Sequence, residues 1–412
     1  MKKGKTVRIV LAVVLTLMLS LALAACGTGT PATTPATTPA TTPATTPATT
    51  PATTPATTPT LNETPSIDTS YKIGYNTFGS GAEAFDWHGD EGLYALNDVF
   101  GMNANRVSDN FTADGTLQNV QNFLSAGDDG ILMTCNTPSV LPQVAGLCLT
   151  AKTPFVLGIF IGEEDQRADL AANNQYYAGA AEGDSQAAGY MIGQHAIEDG
   201  HTTAIVIGGS FGDRNMDQFL AGFTQAFQTE GGGKILDTAR CASPADALTS
   251  ATNLLSANRD AQCVYAMSTD YAPGVIAAMD TLGITGMDVY GSNCSSQAAQ
   301  YIQDGRIKAA TGGNDLSVHL AACLLVNKLD GHPIFDASGK APSFEVEPLL
   351  VNQSNAAEFQ QLFYSSATTG NHVLSPDTLK ALLWRYNPNV TYQNYVDFLN
   401  NLSIDSLAAQ TW

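Results

Sequence analysis

The sequence predicts an α/β protein built from two doubly wound parallel-sheet domains, and three observations predict it. From about residue 69 to residue 312, short apolar runs alternate with amphipathic stretches long enough to be helices, the pattern of βαβ units. The apolar runs show no polar alternation, as in Gly130-Ile131-Leu132-Met133 and Ala204-Ile205-Val206-Ile207, so each reads as a strand covered on both faces. The alternation falls into two sets that meet near Gly179, each about the size of one doubly wound domain.

The first set opens with a strand at 71–75 and a helix at 91–100 that places Leu93, Leu96 and Val99 on one face. A short strand at 105–107, a helix at 116–126 and a buried strand at 130–134 follow. A helix at 140–152, with Pro142 near its start, and a strand at 154–160 complete the set. In the second set a helix at 184–199 leads into strands at 204–208, 234–237, 262–267, 288–291 and 307–310. Helices at 216–229, 245–257, 273–282 and 296–304 separate them.

A chain of 412 residues is long enough for two or three domains. It carries 18 basic against 38 acidic residues, a formal charge of −20. That balance excludes nucleic acid or an anionic lipid surface as the main partner, since both would repel it. Hydrophobic residues make up 44% of the chain, which excludes global disorder. Only one long apolar run exists, which excludes a multi-span membrane protein.

That run is N-terminal. Lys2, Lys3, Lys5 and Arg8 precede the apolar residues 9–25, the layout of a secretory signal peptide. The run is at the low edge of a membrane span, but its ending, Leu23-Ala24-Ala25-Cys26, resembles a bacterial lipobox. The expectation is a protein lipidated at Cys26 and tethered at the outer face of the cell membrane. From Pro31 to Thr58 the unit Pro-Ala-Thr-Thr then repeats seven times. Proline at every fourth residue favours extended polyproline II, and no apolar face is present to bury, so this segment is a spacer. At ~3.1 Å per residue it reaches about 90 Å.

Several segments of the globular part resemble one family. They are Lys72-Ile73-Gly74-Tyr75-Asn76-Thr77-Phe78, Asp128–Thr134, Lys152–Val156, Ala221-Gly222-Phe223, residues 266–283 and Gln303-Asp304-Gly305-Arg306. In order and spacing they are similar to the periplasmic-binding protein type I family, the ribose/galactose-binding-like solute receptors of bacterial ABC importers. The resemblance implies a first domain of residues 69–178 with 314–343 and a second of 179–313 with a late strand near 344–351. Three crossovers near Gly179, Gly313 and Ala341 would form the hinge, and the ligand would lie in the interdomain cleft. The family fold should end near Val351, leaving a helical C-terminal extension, 353–412. Its apolar faces at Ala381, Leu382, Leu383, Phe398 and Leu399 suit packing on the main domains, as a brace or as a docking surface.

The resemblance also implies site residues. The loop after the first strand carries ring-sandwiching aromatics in the family, and here it holds Phe85, Asp86 and Trp87. Flat aromatic faces suit a sugar ring, and carboxylates take hydroxyl hydrogens. Phe85 and Trp87 could equally be core residues of the first helix. Asn136, Asp109, Asp270 and Asn293 follow strand ends, and Asn314 and Asp315 lie at the second crossover. Arg214 begins the helix that contains Ala221-Gly222-Phe223, where a plain surface charge would also fit. Closure is expected to trap the ligand between Phe85 and Trp87 on one side and Asp270 and Asn293 on the other. Two departures stand out. Sugar-binding members carry an Asp-Arg pair where this chain has Ile159-Phe160, and an Arg where it has Phe219. The pocket therefore does not copy the pentose site, and Phe160 is a candidate for a further aromatic wall.

No catalytic or metal pattern competes. The six histidines (88, 195, 201, 319, 332 and 372) show no ligand spacing, and neither a nucleophile elbow nor a phosphate loop is present. Asp86, Asp90 and Glu91 could gather a cation, but acids are favoured in any helix N-terminal turn. Six cysteines besides Cys26 permit 15 pairings; lacking C-x-x-C spacing, they are expected to be mostly buried free thiols. The leading expectation is a monomeric lipoprotein with no cofactor and no catalysis that captures a small polar ligand, most readily a sugar, for ABC permease subunits. The alternatives are a ligand-presenting receptor for a sensor kinase or chemoreceptor, a nucleoside-binding lipoprotein of the same fold, or an extracellular glycosidase.

Overall fold

A computed structural model describes residues 69–79 and 83–411, the side chains of 83–85 and 367 excepted. The signal peptide, Cys26 and the Pro-Ala-Thr-Thr spacer lie outside the described residues.

Two six-stranded sheets organise the described chain. The first begins with β1 (Lys72–Thr77), β2 (Asn103–Ser108), β3 (Gly130–Met133), β4 (Phe155–Gly158) and β5 (Tyr177–Gly183). The second begins with β6 (Thr203–Ile207), β7 (Lys234–Ala239), β8 (Cys263–Ala266), β9 (Asp288–Gly291) and β10 (Ala309–Gly312). The chain then returns to the first sheet as β11 (Ser343–Val346), parallel to β5, and ends in the second as β12 (Leu349–Asn352), antiparallel to β10. The orders are β11-β5-β4-β3-β1-β2 and β12-β10-β9-β8-β6-β7. Both are the doubly wound order in which a crevice opens where successive connections leave in opposite directions. The central strands are buried, from Ile73 and Tyr75 to Val264 and Tyr265, while the edge strands β2 and β7 are partly exposed.

The late strand expected over 344–351 is thus two strands, one in each sheet. The chain passes between the sheets after Gly183, after Gly312 and after Val346. These passages touch one another. The Asp184 amide donates to the Val346 carbonyl at 3.0 Å. A Cβ on Gly183 would lie 2.2 Å from the Asn314 Cβ, and Gly313 turns with φ of 85° against Leu349. The hinge is therefore one packed knot.

Three elements escaped the sequence pattern for physical reasons. The strand β5 is built of Ala, Gly, Tyr and Glu, poor strand formers. It holds its place because the small residues let the helix Ser317–Leu329 approach; a Cβ on Gly179 would meet Leu324 at 3.1 Å. That helix is buried on every side from Ser317 to Asn327, so it has no amphipathic stripe to read. The helix Glu164–Asn173 is largely polar and buries only Arg167 and Leu170. The first helix also starts earlier than expected, spanning Glu83–Leu93 and running on as a π-helical segment, Tyr94–Val99.

The C-terminal segment crosses the hinge a fourth time. Its first helix, Ala356–Tyr364, packs on the second domain's helix Ser296–Gln303. Gln360 Nε2 donates to the Ser296 carbonyl (3.1 Å), and Gln303 Nε2 donates to Gln360 Oε1 (2.9 Å). Beyond it the chain lies on the first domain. The Tyr94 hydroxyl donates to the Leu374 carbonyl at 3.0 Å, and its ring stacks on His372. Arg385 forks onto Asp330 at 2.8 and 2.6 Å, and Asn327 Nδ2 donates to the Leu382 carbonyl at 2.9 Å. Of the two roles open to this segment, these contacts are those of a brace.

Candidate functional site

A cavity of about 270 Å³ opens between the two sheets. Nearly every residue lining it follows the carboxyl end of a strand, where open parallel sheets bind ligands. Phe78 comes after β1, Phe111 after β2, and Ile159 and Phe160 after β4. From the second domain come Asp213, Asn215 and Met216 after β6, Ser268 and Asp270 after β8, and Asn293 and Ser295 after β9. Asn314 and Asp315 enter from the hinge, His88 from the first helix and Tyr364 from the C-terminal segment. Other hollows are larger, but this is where the loops of both sheets converge.

The first domain supplies an aromatic wall. Phe78 contacts Phe160 edge-on at 4.8 Å between ring centres, Phe111 at 5.6 Å and His88 at 5.5 Å. The second domain supplies mainly polar groups. Backbone strain gathers here too. Of the five non-glycine residues with positive φ among the described residues, Phe111 (59°), Ile159 (68°) and Asn293 (56°) line this cleft. A β-branched residue such as Ile159 is rarely held there, and strain of this kind concentrates at functional sites. Asp109 holds the Phe111 turn; it accepts from the Phe111 amide (2.9 Å), Asn76 Nδ2 (3.0 Å) and the Thr116 hydroxyl (2.7 Å). Its part is therefore to shape the loop.

Burial pushes the Asp270 carboxyl above its ordinary range, against a hydrogen bond from Ser268, and Asp315 pushes it the same way. Burial likewise raises Asp315, opposed by His88, whose Nε2 lies 3.4 Å from Asp315 Oδ1. Burial lowers His88 and favours the neutral imidazole, although Asp315 pulls the other way. Two polar atoms of the lining have no hydrogen-bond partner: His88 Nδ1 and Asn314 Oδ1, on residues 5% and 8% exposed.

Of the residues the sequence singled out, the structure brings Phe160, Asp270, Asn293, Asn314 and Asp315 into this lining. Phe219 also lines it. The side chain of Phe85 lies outside the described residues. The others are placed outside the lining. Trp87 is buried against the C-terminal segment; its ring stacks on Phe363 and its indole N–H donates to the Phe363 carbonyl. A helix turned so that His88 faces the cleft points Trp87 away from it. Asp86 and Asp90 face Arg106 at 3.9 and 3.1 Å. Arg214 is held across the domains by Glu182, which takes both terminal nitrogens at 2.7 and 3.1 Å. Asn136 follows β3 but is not part of the lining.

Sequence reasoning did not single out Phe78, Phe111, His88, Asp213 or Tyr364. For Phe78 and Phe111 a signal existed, since each closely follows a strand. For Tyr364 none did, because only the folded C-terminal segment carries it to the cleft. Among the described residues no group of three His, Cys, Asp or Glu is arranged to hold a metal ion.

Glu91 is engaged away from the cleft. It is 2% exposed and accepts from His319 Nε2 at 3.0 Å and His372 Nδ1 at 2.7 Å. Burial pushes its carboxyl up, but the two imidazoles outweigh burial and hold it below the ordinary carboxylate range.

Comparison with known proteins agrees with the fold. A family model described as a periplasmic binding protein domain matches residues 75–332, and the chain belongs to that family. Its fold is similar to that of the periplasmic binding protein component of the arabinose ABC transporter from Shewanella sp. ANA-3, at 16% identity and a TM-score of 0.62. That match covers 72% of this chain and 96% of the other. It is similar also to an ABC transporter periplasmic solute binding protein from Actinobacillus succinogenes 130z with bound D-allose, at 18% identity, a TM-score of 0.61, and 70% and 99% coverage. A glucose-galactose binding protein from Geobacillus stearothermophilus aligns at 17% identity and a TM-score of 0.57, covering 70% and 99%. No curated protein matches. Tyr364 and the C-terminal segment fall outside the matched family region.

Proposed function

We propose that the protein is an extracytoplasmic receptor that captures a small polar ring compound of the sugar class in the interdomain cleft and hands it to an ABC importer. The observation that carries this reading is the cleft's division of labour: a wall of phenyl rings faces hydrogen-bonding groups set at strand ends. Apolar ring faces suit the C–H face of a sugar, and side-chain carboxylates and amides suit its hydroxyls. Phe78, Phe111 and Phe160 would stack on the ring, while Asp270, Asn293 and Asn314 would bind its edge. Capture needs no bond to break, so the role is binding and release by hinge motion. The Cys26 lipobox and the spacer support a lipid tether that holds the receptor at the outer membrane face near its permease.

The test is a thermal-shift screen of the purified protein against aldoses, polyols, nucleosides and amino acids, followed by calorimetry. A ligand at 100 times its dissociation constant adds about 2.7 kcal/mol of stability. Phe160→Ala and Asn293→Ala should each weaken binding at least about tenfold, the size of one lost buried contact. Unchanged affinity in both would remove the ligand from this cleft. Cys26→Ser should abolish incorporation of a labelled fatty acid in the producing cell.

A further inference from the structure

The cleft is one-sided in charge. Asp213, Asp270 and Asp315 line it, and among the described residues no Lys or Arg does. Residues 80–85 contain neither in sequence, reading Ser, Gly, Ala, Glu, Ala, Phe. At the two places where the family resemblance implies arginine, Phe160 and Phe219 stand instead. The nearby Arg214 is committed to Glu182. The His88 imidazole does not balance the acids, because its burial favours the neutral form.

The cleft also holds buried polar atoms that no described residue pairs. Asp270 receives only the Ser268 hydroxyl, at 3.2 Å, and the backbone amides of Asn215 and Met216 converge on Asp213 Oδ1. Asn314 Oδ1 and His88 Nδ1, both on residues more than nine-tenths buried, have no partner. His88 Nε2 lies 3.4 Å from Asp315 Oδ1, and in the tautomer that keeps its proton on Nε2 the unpartnered Nδ1 is an acceptor. Acceptors without donors in a buried site are costly until a ligand brings the donors. Aromatic rings beside carboxylates add the means to hold a positive charge, since ring faces attract cations.

On the reading that this cleft is the ligand site, we infer that it takes a donor-rich ring compound bearing a protonated amine, an amino sugar by chemical class. An anionic sugar would meet three acidic side chains and no lysine or arginine among the described lining residues. A neutral sugar would offer hydroxyls to the acceptors but bring no counter-charge to the acids.

The experiment is calorimetry on the full protein with two matched series: D-glucosamine, D-glucose and D-glucuronate, and their galactose counterparts. In at least one series the amine should bind about tenfold or more tightly than the neutral sugar, after desolvation offsets most of the Coulomb attraction. The uronate should not bind, and added salt should narrow the gap between amine and neutral sugar. Asp270→Asn should bring the amine-to-neutral ratio toward one. If that variant does not fold, the comparison on the unaltered protein still decides. A neutral sugar binding as tightly as its amine, or more so, overturns this inference and leaves the sugar receptor standing. Binding by no member, neutral ones included, also overturns this inference, and the wider screen of aldoses, polyols, nucleosides and amino acids then decides the receptor reading separately.

Discussion

Glu91 is the point at which the C-terminal brace can be tested. Its carboxylate joins three elements: the first helix, which it occupies, the buried helix Ser317–Leu329 through His319, and the C-terminal segment through His372. Glu91→Gln preserves volume and removes the charge. A hydrogen bond to a charged group is worth about 1.5–3 kcal/mol, and the buried Glu91 carboxylate accepts two. Because the His372 side chain is 20% exposed and water can partly replace its bond, the expected loss is about 3 kcal/mol. At roughly 2–4 °C per kcal/mol for a domain of this class, the melting temperature should fall by about 6–12 °C at neutral pH.

The pH dependence has a definite sign. The folded Glu91 carboxyl titrates below its ordinary value of 4.5. Its stabilisation is therefore complete above that value and is lost as the pH falls through the folded value. The melting curves of the unaltered protein and Glu91→Gln should converge in acid. Hydrogen exchange should show faster opening of residues 366–411 in the variant, with β6 and β8 unaffected. A variant that melts within ~0.5 kcal/mol of the parent at neutral pH would refute the reasoning, since that is the range of an unremarkable surface change.

Three further outcomes follow from the same geometry. Gly183→Ala forces a Cβ to within 2.2 Å of Asn314 and should destabilise by about 1–3 kcal/mol, read in urea, while weakening ligand binding through the displaced amide. Arg214→Ala strands the buried Glu182 carboxylate with only Arg167, 3.9 Å away, and should cost about 3 kcal/mol; Arg214→Lys should not rescue it, because the fork onto both oxygens is lost. All six described cysteines are buried free thiols, and burial pushes Cys135, Cys148 and Cys263 up to about 12, so iodoacetamide should label the native protein far more slowly than the denatured one by mass spectrometry.

Much of this architecture was legible in the sequence because it is written in local pattern. The apolar runs at 130–133, 204–207 and 263–266 became central strands, and the helices between them carry one apolar face each. Where local pattern fails, the chain shows why. The strand β5 is alanine-rich, and the helix Ser317–Leu329 is buried all round, so neither carries a period that sequence alone can read. The site was legible in the same measure. Asp270, Asn293 and Asn314 follow strand ends and face the cleft, since strand ends are fixed once strands are. Trp87 shows the limit: it and His88 are neighbours in sequence, and only the rotation of one helix decides which meets the cleft and which meets Phe363.

The sequence by itself determined the two α/β halves, the acidic charge and the aromatic residues available to a binding cleft, because each depends on composition or on a repeat of a few residues. Tertiary structure alone decided that β11 and β12 divide between the sheets, that Arg214 closes on Glu182, and that the C-terminal segment crosses the hinge to bring Tyr364 beside Phe78 and Phe160 in one lining. These are contacts between residues far apart in sequence, from Arg214 with Glu182, 32 positions away, to Glu91 with His319 and Trp87 with Phe363, more than 200 away. Their energies depend on distance and burial, which no local pattern encodes.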